Sequence, residues 1–332
     1  MEFFMLRLFI STNPKTQGLW ETRFHQALPH AQIISNLDDL KALQEQALDQ
    51  PLSYFAILWT TTDQVWEWVL QPLTQPKAIF LLGAGVDKVL SQIQQQFIAS
   101  NHQLPPIIRI EDGGMADSMV EYTLYAGLES FRGFRRYKEQ QSSRHWQALP
   151  PPYKEEFPIG VLGLGALGQP VARALVSFGF PVLGWSRSLK NLPGVHCLGG
   201  ADGLDQILTG CKLLILLLPL TDETRGLFNS DRFNLLQPGV VIVNLARGAL
   251  IEEQGLLDHL KKDPQAHCYL DVFTQEPLPH DHPFWTHGQI TLTPHVSAQT
   301  KVEPGVAQIV EKILRLNQGL EVSGVVDLDR GY

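Results

Sequence analysis

The chain has 332 residues, of which 44% are hydrophobic and 18% charged, and its formal net charge is −8. This length predicts two domains. The composition is that of an ordinary globular protein. The negative charge, with no cluster of Lys and Arg among aromatic residues, argues against nucleic acid or an anionic membrane as a partner. The three cysteines lack disulfide or metal spacing, and the apolar opening of the chain is too short to span a membrane. We therefore expect a cytoplasmic protein.

The amino-terminal part of the chain alternates short apolar runs with helical patterns. The runs are LRLFI (6–10), YFAILW (54–59), AIFLLG (78–83) and PIIRI (106–110). Such alternation predicts βα units around a parallel sheet. One long helix is predicted over 118–141, with Asp117 as its N-cap, and a Pro-rich connecting arm follows over 145–158.

A second α/β block begins at Ile159. Its apolar runs are IGVLG (159–163), PVLGW (181–185), KLLILLLP (212–219), VVIVNL (240–245), CYLDVF (268–273) and ITLTP (290–294). Six runs are the number of strands in a complete dinucleotide-binding sheet. The last helical pattern, 306–319, is therefore expected to return to the first block.

A glycine-rich turn, GLGALG, joins the first strand of this block to an amphipathic helix. Its first glycine suits a tight turn, its second the close approach of a pyrophosphate, and its third a close strand–helix contact. The helix N-terminus would supply amides and partial positive charge to the phosphates. The alternative is a structural turn in another doubly wound protein. The residues predicted to bind a dinucleotide here are Gly163, Gly165, Ala166, Leu167, Gly168 and Pro219.

The end of the second strand of this block bears on the choice of coenzyme. An NAD enzyme usually carries an acidic residue there, which holds the ribose 2′-hydroxyl. This chain has Ser186, Arg187 and Ser188 instead. A guanidinium and two hydroxyls can bind a 2′-phosphate, so NADPH is expected to be preferred, with NADH still possible. The alternative is that Arg187 is a solvated loop charge.

Three ionisable residues each follow an apolar run: Arg247, Glu276 and His295. The carboxyl ends of parallel strands meet at one edge of a sheet, so these side chains are expected to converge there. The planar fork of Arg247 suits a substrate carboxylate, although a surface ion pair is the alternative. Glu276 alone would be a loop carboxylate, but beside His295 it would accept the ring N–H and set the tautomer. His295 is then the candidate general acid. No His, Asp and Glu cluster has metal-ligand spacing.

The segment LLGAGVD (81–87) closes a strand of the first block with two glycines. Exposed backbone amides at such a turn can bind an anion, which suits the same substrate carboxylate. A plain tight turn explains the pattern equally well.

Together these motifs resemble the D-isomer-specific 2-hydroxyacid dehydrogenase family, over essentially the whole chain. The matching segments are GLGALG, QPGVVIVNLARGALIEE, LDVFTQEPLP and TPHVSA. Within the family the chain resembles the glyoxylate/hydroxypyruvate reductase A branch. That similarity is carried by LGAGVD, RIEDGGM-x-x-x-M-x-EY, GWSRS and VDLDRGY.

The resemblance implies two doubly wound parallel-sheet α/β domains with an interdomain cleft. A flavodoxin-like substrate domain would comprise 1–117 and 297–332, and a Rossmann NAD(P)-binding domain would comprise 118–296. A homodimer is also implied, with 118–158 as its dimerisation arm.

The resemblance also implies a role for each site residue. Arg247 would bind substrate, Glu276 would be the partner carboxylate and His295 the acid/base. Asp271 would lie near the nicotinamide. Trp59 would line the substrate pocket, although one Trp on a strand is more often part of a core. The residues whose amides would hold the substrate carboxylate are Gly83, Ala84 and Gly85.

The function expected from the sequence is NADPH-dependent reduction of small 2-oxo acids such as glyoxylate and hydroxypyruvate. Hydride transfer would be completed by proton donation from His295. Two alternatives stay open. One is an NAD-dependent dehydrogenase for another acid, such as D-lactate or 3-phosphoglycerate. The other is a dinucleotide-sensing interaction protein without turnover.

Overall fold

The computed structural model describes residues 5–47, 51–97 and 103–332. The chain divides into two compact units. The first unit comprises Met1–Gly114 and Thr300–Tyr332, and the second unit comprises Met115–Gln299. Each is built on its own parallel sheet, in agreement with the predicted class of two α/β domains.

The first unit has five parallel strands among its described residues: β1 (Arg7–Ser11), β2 (Gln32–Ile34), β3 (Phe55–Leu58), β4 (Ile79–Leu81) and β5 (Ile107–Arg109). They lie in the order β2-β1-β3-β4-β5. The helices between them are α1 (Gln17–Ala27), α2 (Leu37–Gln46), α3 (Asp63–Val69) and α4 (Asp87–Phe97). The edge strand β2 was missing from the sequence prediction, because it has three residues of which only Ile34 is buried.

The second unit, all of whose residues are described, has seven parallel strands. They are β6 (Ile159–Leu162), β7 (Val182–Trp185), β8 (Val195–Leu198), β9 (Leu213–Leu216), β10 (Val241–Asn244), β11 (His267–Leu270) and β12 (Ile290–Leu292). Their order is β12-β11-β10-β9-β6-β7-β8. The sequence predicted six of them and was wrong to omit β8. This edge strand has no fully buried residue, so it lacks a continuous apolar run.

The helices of the second unit are α5 (Met115–Arg132), α6 (Phe134–Ser142), α7 (Gly168–Ser177), α8 (Gly200–Gly210), α9 (Ser230–Phe233) and α10 (Glu253–Lys262). Single 3-10 turns lie at Lys154–Glu156, Gly248–Leu250 and Pro283–Thr286. The strand order reverses between β9 and β6, and in open α/β sheets a ligand crevice lies at the carboxyl ends of such strands.

In the second unit, alternate residues of the central strands point to opposite faces of the sheet, and each face has its own apolar core. Leu214 and Leu216 of β9 belong to one core, whereas Leu213 and Ile215 belong to the other. This alternation follows from the two-residue period of a strand. The core that contains Leu213 and Ile215 is covered by α5 and α7. Helix α5 is therefore part of the packed structure of the second unit.

The predicted helix over 118–141 is two helices, α5 and α6. Gly133 separates them with φ 65°, a left-handed conformation that stops a helix and favours glycine. The first helix begins at Met115, so Asp117 lies in its first turn and is not its N-cap. The prediction of one continuous helix was therefore wrong.

The carboxy-terminal segment belongs to the first unit. Its helix α11 (Val302–Asn317) packs along α1, with an ion pair of 2.9 Å between Arg23 and Glu303. A Cβ at Gly305 would lie 2.9 Å from the Trp20 ring, so the two helices approach closely there. Beyond α11, Val325 pairs with Ile108 and covers the edge at β5.

Candidate active site

The glycine turn of the second unit connects β6 to α7. It is crowded at its first and third glycines and open at its second. Gly163 has φ +108°, and a Cβ there would lie 2.4 Å from the Leu217 carbonyl oxygen. A Cβ at Gly168 would lie 1.7 Å from the Gly163 carbonyl oxygen. Any side chain would therefore collide at both positions. At Gly165, by contrast, a Cβ would meet nothing within 4 Å, so the turn is open there.

The residues around this opening suit an anionic group. Ala166 is exposed, Leu167 is half-buried, and no side chain caps the start of α7. A helix N-terminus of this kind presents backbone N–H groups and partial positive charge. Pro219 is exposed beyond the end of β9, the strand next to β6, and its carbonyl accepts a 2.6 Å hydrogen bond from Thr224.

The loop after β7 carries the three residues predicted to choose the coenzyme. Ser186 is buried, and its hydroxyl donates a 2.8 Å hydrogen bond to the Ser188 carbonyl. That bond curls the loop, while Arg187 and Ser188 are exposed. The loop thus presents a guanidinium and has no carboxylate among residues 186–188.

The predicted ionisable trio lies at one edge of the second unit's sheet. Arg247 follows β10, Glu276 follows β11 and His295 follows β12, and these strands are adjacent and parallel. The imidazole Nδ1 of His295 lies 2.9 Å from Glu276 Oε2, so the predicted contact is present. Because a carboxylate only accepts, Nδ1 donates, and Nε2 is left to hold or receive a transferable proton. The His295 side chain is 46% exposed, so a small molecule can reach it.

Arg247 is linked to the same edge through its neighbour. A Cβ at Gly248 would lie 2.1 Å from the Phe273 carbonyl carbon, so the Arg247 loop packs directly on the loop that leads to Glu276. The Phe273 amide in turn donates to Glu276 Oε1 at 3.1 Å. Arg247 is half-buried, and its Nη1 donates to the Ala246 carbonyl at 2.7 Å. The backbone beside Arg247 therefore packs on the loop that leads to Glu276, and its guanidinium is bonded to the carbonyl of the preceding residue.

Asp271 lies beneath His295 and is fully buried. Its Oδ1 accepts from Thr293 Oγ1 at 2.6 Å and from the Val296 amide at 2.9 Å, and its Oδ2 accepts from the Ser297 amide at 2.9 Å. Its carbonyl oxygen also accepts from the His295 amide at 2.8 Å. These bonds hold the turn that carries His295. The nicotinamide contact inferred for Asp271 stays a prediction.

In the first unit, the structure brings the predicted aromatic residue against the predicted glycine turn. A Cβ at Gly83 would lie 2.2 Å from the Trp59 ring, so the absence of a side chain at Gly83 makes room for the indole. The φ of Gly83 lies outside the left-handed range. The carbonyl of Ala84 accepts a 3.3 Å hydrogen bond from Arg109. The substrate contacts inferred for this turn and for Trp59 stay predictions.

Sequence reasoning missed Thr293 and Tyr122 as parts of the site. The Tyr122 hydroxyl lies 2.8 Å from Thr293 Oγ1, beside Asp271. Tyr122 is the last residue of the motif RIEDGGM-x-x-x-M-x-EY. Nothing in the sequence connects this tyrosine to Thr293, which lies 171 positions further along the chain. The described residues contain no group of three His, Cys, Asp or Glu side chains that could hold a metal, and no helix able to cross a membrane.

Comparison with known proteins identifies the relatives of this arrangement. The family model "D-isomer specific 2-hydroxyacid dehydrogenase, NAD binding domain" matches residues 124–297. A glyoxylate/hydroxypyruvate reductase A from Serratia proteamaculans (strain 568) is 41% identical over 313 residues, which cover 94% of this chain and 96% of that protein.

Solved structures agree with these matches. A D-isomer specific 2-hydroxyacid dehydrogenase from Xanthobacter autotrophicus Py2, in complex with NADPH and MES, has a TM-score of 0.84 at 30% identity, covering 98% of this chain and 99% of that one. An NADPH-dependent glyoxylate/hydroxypyruvate reductase from Sinorhizobium meliloti, in complex with NADP and sulfate, has a TM-score of 0.81 at 29% identity, with the same coverage. The chain therefore belongs to the D-isomer-specific 2-hydroxyacid dehydrogenase family of oxidoreductases.

Proposed function

We propose that this protein reduces small 2-oxo acids, such as glyoxylate and hydroxypyruvate, to 2-hydroxy acids with NADPH. The observation that carries the proposal is the 2.9 Å contact between His295 Nδ1 and Glu276 Oε2 on an exposed loop. Reduction of a carbonyl needs a proton at its oxygen. An imidazole oriented by a carboxylate and open to small molecules is suited to give that proton from Nε2.

Arg247 is assigned to the substrate carboxylate. Its guanidinium can form two parallel hydrogen bonds with a carboxylate, and that geometry fixes the orientation of the acid. The close packing of Gly248 on Phe273 supports this role, because it ties the arginine loop to the loop of Glu276. Orientation of this kind lowers the entropic part of the barrier.

The glycine turn is assigned to the coenzyme. The open side at Gly165 and the uncapped N-terminus of α7 fit a pyrophosphate, which needs close backbone approach and N–H donors. When bound, the coenzyme supplies the hydride that reduces the carbonyl carbon. The chain's own residues orient the acid and deliver the proton.

The preference for NADPH rests on the loop after β7. Arg187 is exposed there, between Ser186 and Ser188. A guanidinium attracts a 2′-phosphate, whereas a carboxylate would repel it. The relatives solved with NADPH and NADP support the same preference.

The proposal is tested by adding glyoxylate and NADPH to the purified protein and following the loss of the near-ultraviolet absorbance of the reduced nicotinamide. Turnover with conversion to glycolate is expected. Tight NADPH binding without turnover of glyoxylate or hydroxypyruvate would overturn the proposal. Turnover of a different 2-oxo acid would then identify a dehydrogenase for another substrate, whereas no turnover of any 2-oxo acid would favour a dinucleotide sensor.

Arg187→Asp should reverse the coenzyme preference, because the new carboxylate repels the 2′-phosphate and can accept from a ribose hydroxyl. The measurement is the ratio of kcat/KM for NADPH to that for NADH. Lys190→Asp is a matched charge change a few residues along. An unchanged ratio of the two kcat/KM values in Arg187→Asp would show that Arg187 is a solvated loop charge without a part in coenzyme choice.

We also propose a homodimer that uses the arm over 118–158. Helix α6 has no buried residue, Trp146 is 100% exposed and Tyr153 is 63% exposed. Such exposed aromatic side chains are enriched at protein interfaces. Light scattering after gel filtration should give twice the chain mass, and Trp146→Glu should shift it toward the monomer.

A further inference from the structure

Tyr122 reaches the catalytic loop from a helix that carries none of the proposed catalytic residues. It lies on α5, and its hydroxyl is 2.8 Å from Thr293 Oγ1. The direction of this bond follows from the neighbouring one. Thr293 has a single hydroxyl proton and gives it to Asp271 Oδ1 at 2.6 Å, since that carboxylate only accepts. Tyr122 must therefore donate to Thr293, and the chain of bonds runs in one direction, toward Asp271.

The end of this chain of bonds is the backbone turn that carries His295. Asp271 accepts from the Val296 and Ser297 amides, both at 2.9 Å. His295 has φ 54°, a conformation that is uncommon for residues other than glycine and costs energy unless its surroundings impose it. The buried carboxylate, bonded on either side of this residue, supplies that constraint.

We propose that Tyr122 and Thr293 are positioning residues for His295, acting through the Asp271 carboxylate. The Tyr122 hydroxyl orients the Thr293 hydroxyl toward Asp271, and Thr293 thereby fixes which carboxylate oxygen faces Val296. The position of the His295 ring depends on all three. This inference rests on the proposed function, in which His295 donates the proton.

The environment of Tyr122 keeps the phenol in the form that the proposal needs. Burial is the main cause that raises its pKa above 10.0, and the charge of Asp271 raises it further, against the opposing effect of the Thr293 hydrogen bond. The phenol is therefore a donor throughout the neutral pH range. Tyr125, one turn along the same helix, is bonded instead to Glu129, which makes it a matched control.

The first test is kinetic, on the full-length protein with glyoxylate and NADPH. Tyr122→Phe should lower kcat by about three- to tenfold, the effect of one hydrogen bond, and leave the KM for NADPH unchanged. Thr293→Val should lower kcat at least as much. Thr293→Ser keeps the hydroxyl and should therefore have a kcat near that of wild type. In the Thr293→Val background, Tyr122→Phe should add no further loss. Tyr125→Phe should keep the wild-type kcat.

The second test does not depend on activity. Amide hydrogen exchange of residues 293–297 should be faster in Tyr122→Phe and Thr293→Val than in wild type, because the Val296 and Ser297 amides lose a fixed acceptor. Tyr125→Phe should leave exchange in this segment unchanged.

Three results would overturn the proposal: Tyr122→Phe behaving like Tyr125→Phe in both tests, multiplicative losses in the double variant, or Thr293→Ser failing as Thr293→Val does. A wild-type protein that binds NADPH but does not turn over glyoxylate or hydroxypyruvate would overturn the proposed function instead. The exchange rates would then decide by themselves whether Tyr122 holds the His295 turn.

Discussion

Two buried carboxylates of the second unit, Asp271 and Glu129, hold different kinds of structure. Asp271 is 0% exposed and accepts from two backbone amides and one hydroxyl, all within residues 293–297. Glu129 is 7% exposed and accepts from side chains only. These are Lys138 of α6, Tyr269 of β11 at 2.6 Å and Tyr125 of its own helix.

The difference lies in what each carboxylate holds in place. Backbone donors tie Asp271 to the conformation of one turn, and that turn positions His295. Side-chain donors tie Glu129 to whole elements, because Tyr269 belongs to the sheet and Lys138 to α6. Removing the first carboxylate should therefore displace a catalytic group, whereas removing the second should loosen the packing of helices.

The largest expected loss of kcat follows from substitution of His295, and the two carboxylate variants are compared with it. His295→Ala removes the proton donor, and kcat for glyoxylate should fall by about 10²–10⁴-fold. NADPH binding, measured by fluorescence titration, should be retained. His280→Ala, at an exposed loop position, is the control and should keep wild-type kcat. Comparable turnover in both variants would show that the proton comes from another group.

Asp271→Asn should come next. The amide NH₂ group cannot accept, so at least one of the donors on residues 293–297 loses its partner. Displacement of a catalytic group by about 1 Å can cost on the order of 10²-fold in rate, and a loss of this size in kcat is expected. A variant with wild-type kcat would mean that the His295 turn holds its shape without this carboxylate.

Glu129→Gln should act on stability and spare catalysis. The loss of its charge-assisted bond to Lys138 should lower the free energy of unfolding by about 1.5–3 kcal/mol, the usual range for hydrogen bonds to charged groups. The urea midpoint at pH 7 should fall while kcat stays near the wild-type value. A large fall in kcat would break the distinction between the two carboxylates.

The smallest effect is the pH dependence of the Glu129 contribution. Burial alone would raise the pKa of Glu129, but its hydrogen bonds with Lys138, Tyr269 and Tyr125 outweigh burial and hold it below 4.5. A depressed folded-state pKa gives stability that is present above the unfolded pKa and is lost as pH falls. The difference in unfolding free energy between wild type and Glu129→Gln should thus shrink below pH 4.5. A difference that stays constant on acidification would contradict this assignment.

The fold class could be predicted because its signals are local. Each central strand is a continuous apolar run, as sheets covered on both faces require, and the glycine turn is a motif of consecutive residues, 163–168. The edge strands β2 and β8 were missed because they are short and only partly buried. The break at Gly133 was missed because the pattern of polar and apolar residues continues through it, while the left-handed backbone at that glycine interrupts the helix.

The sequence by itself determined that Arg247, Glu276 and His295 each follow an apolar run, and the three runs are the adjacent strands β10, β11 and β12. Only the tertiary structure decided how that edge is held. Thr293 meets Asp271 across 22 positions, and Tyr122 meets Thr293 across 171. Hydrogen bonds between side chains so far apart leave no periodicity in the sequence, because each partner is an ordinary polar residue until the folded backbone brings the donor and acceptor together.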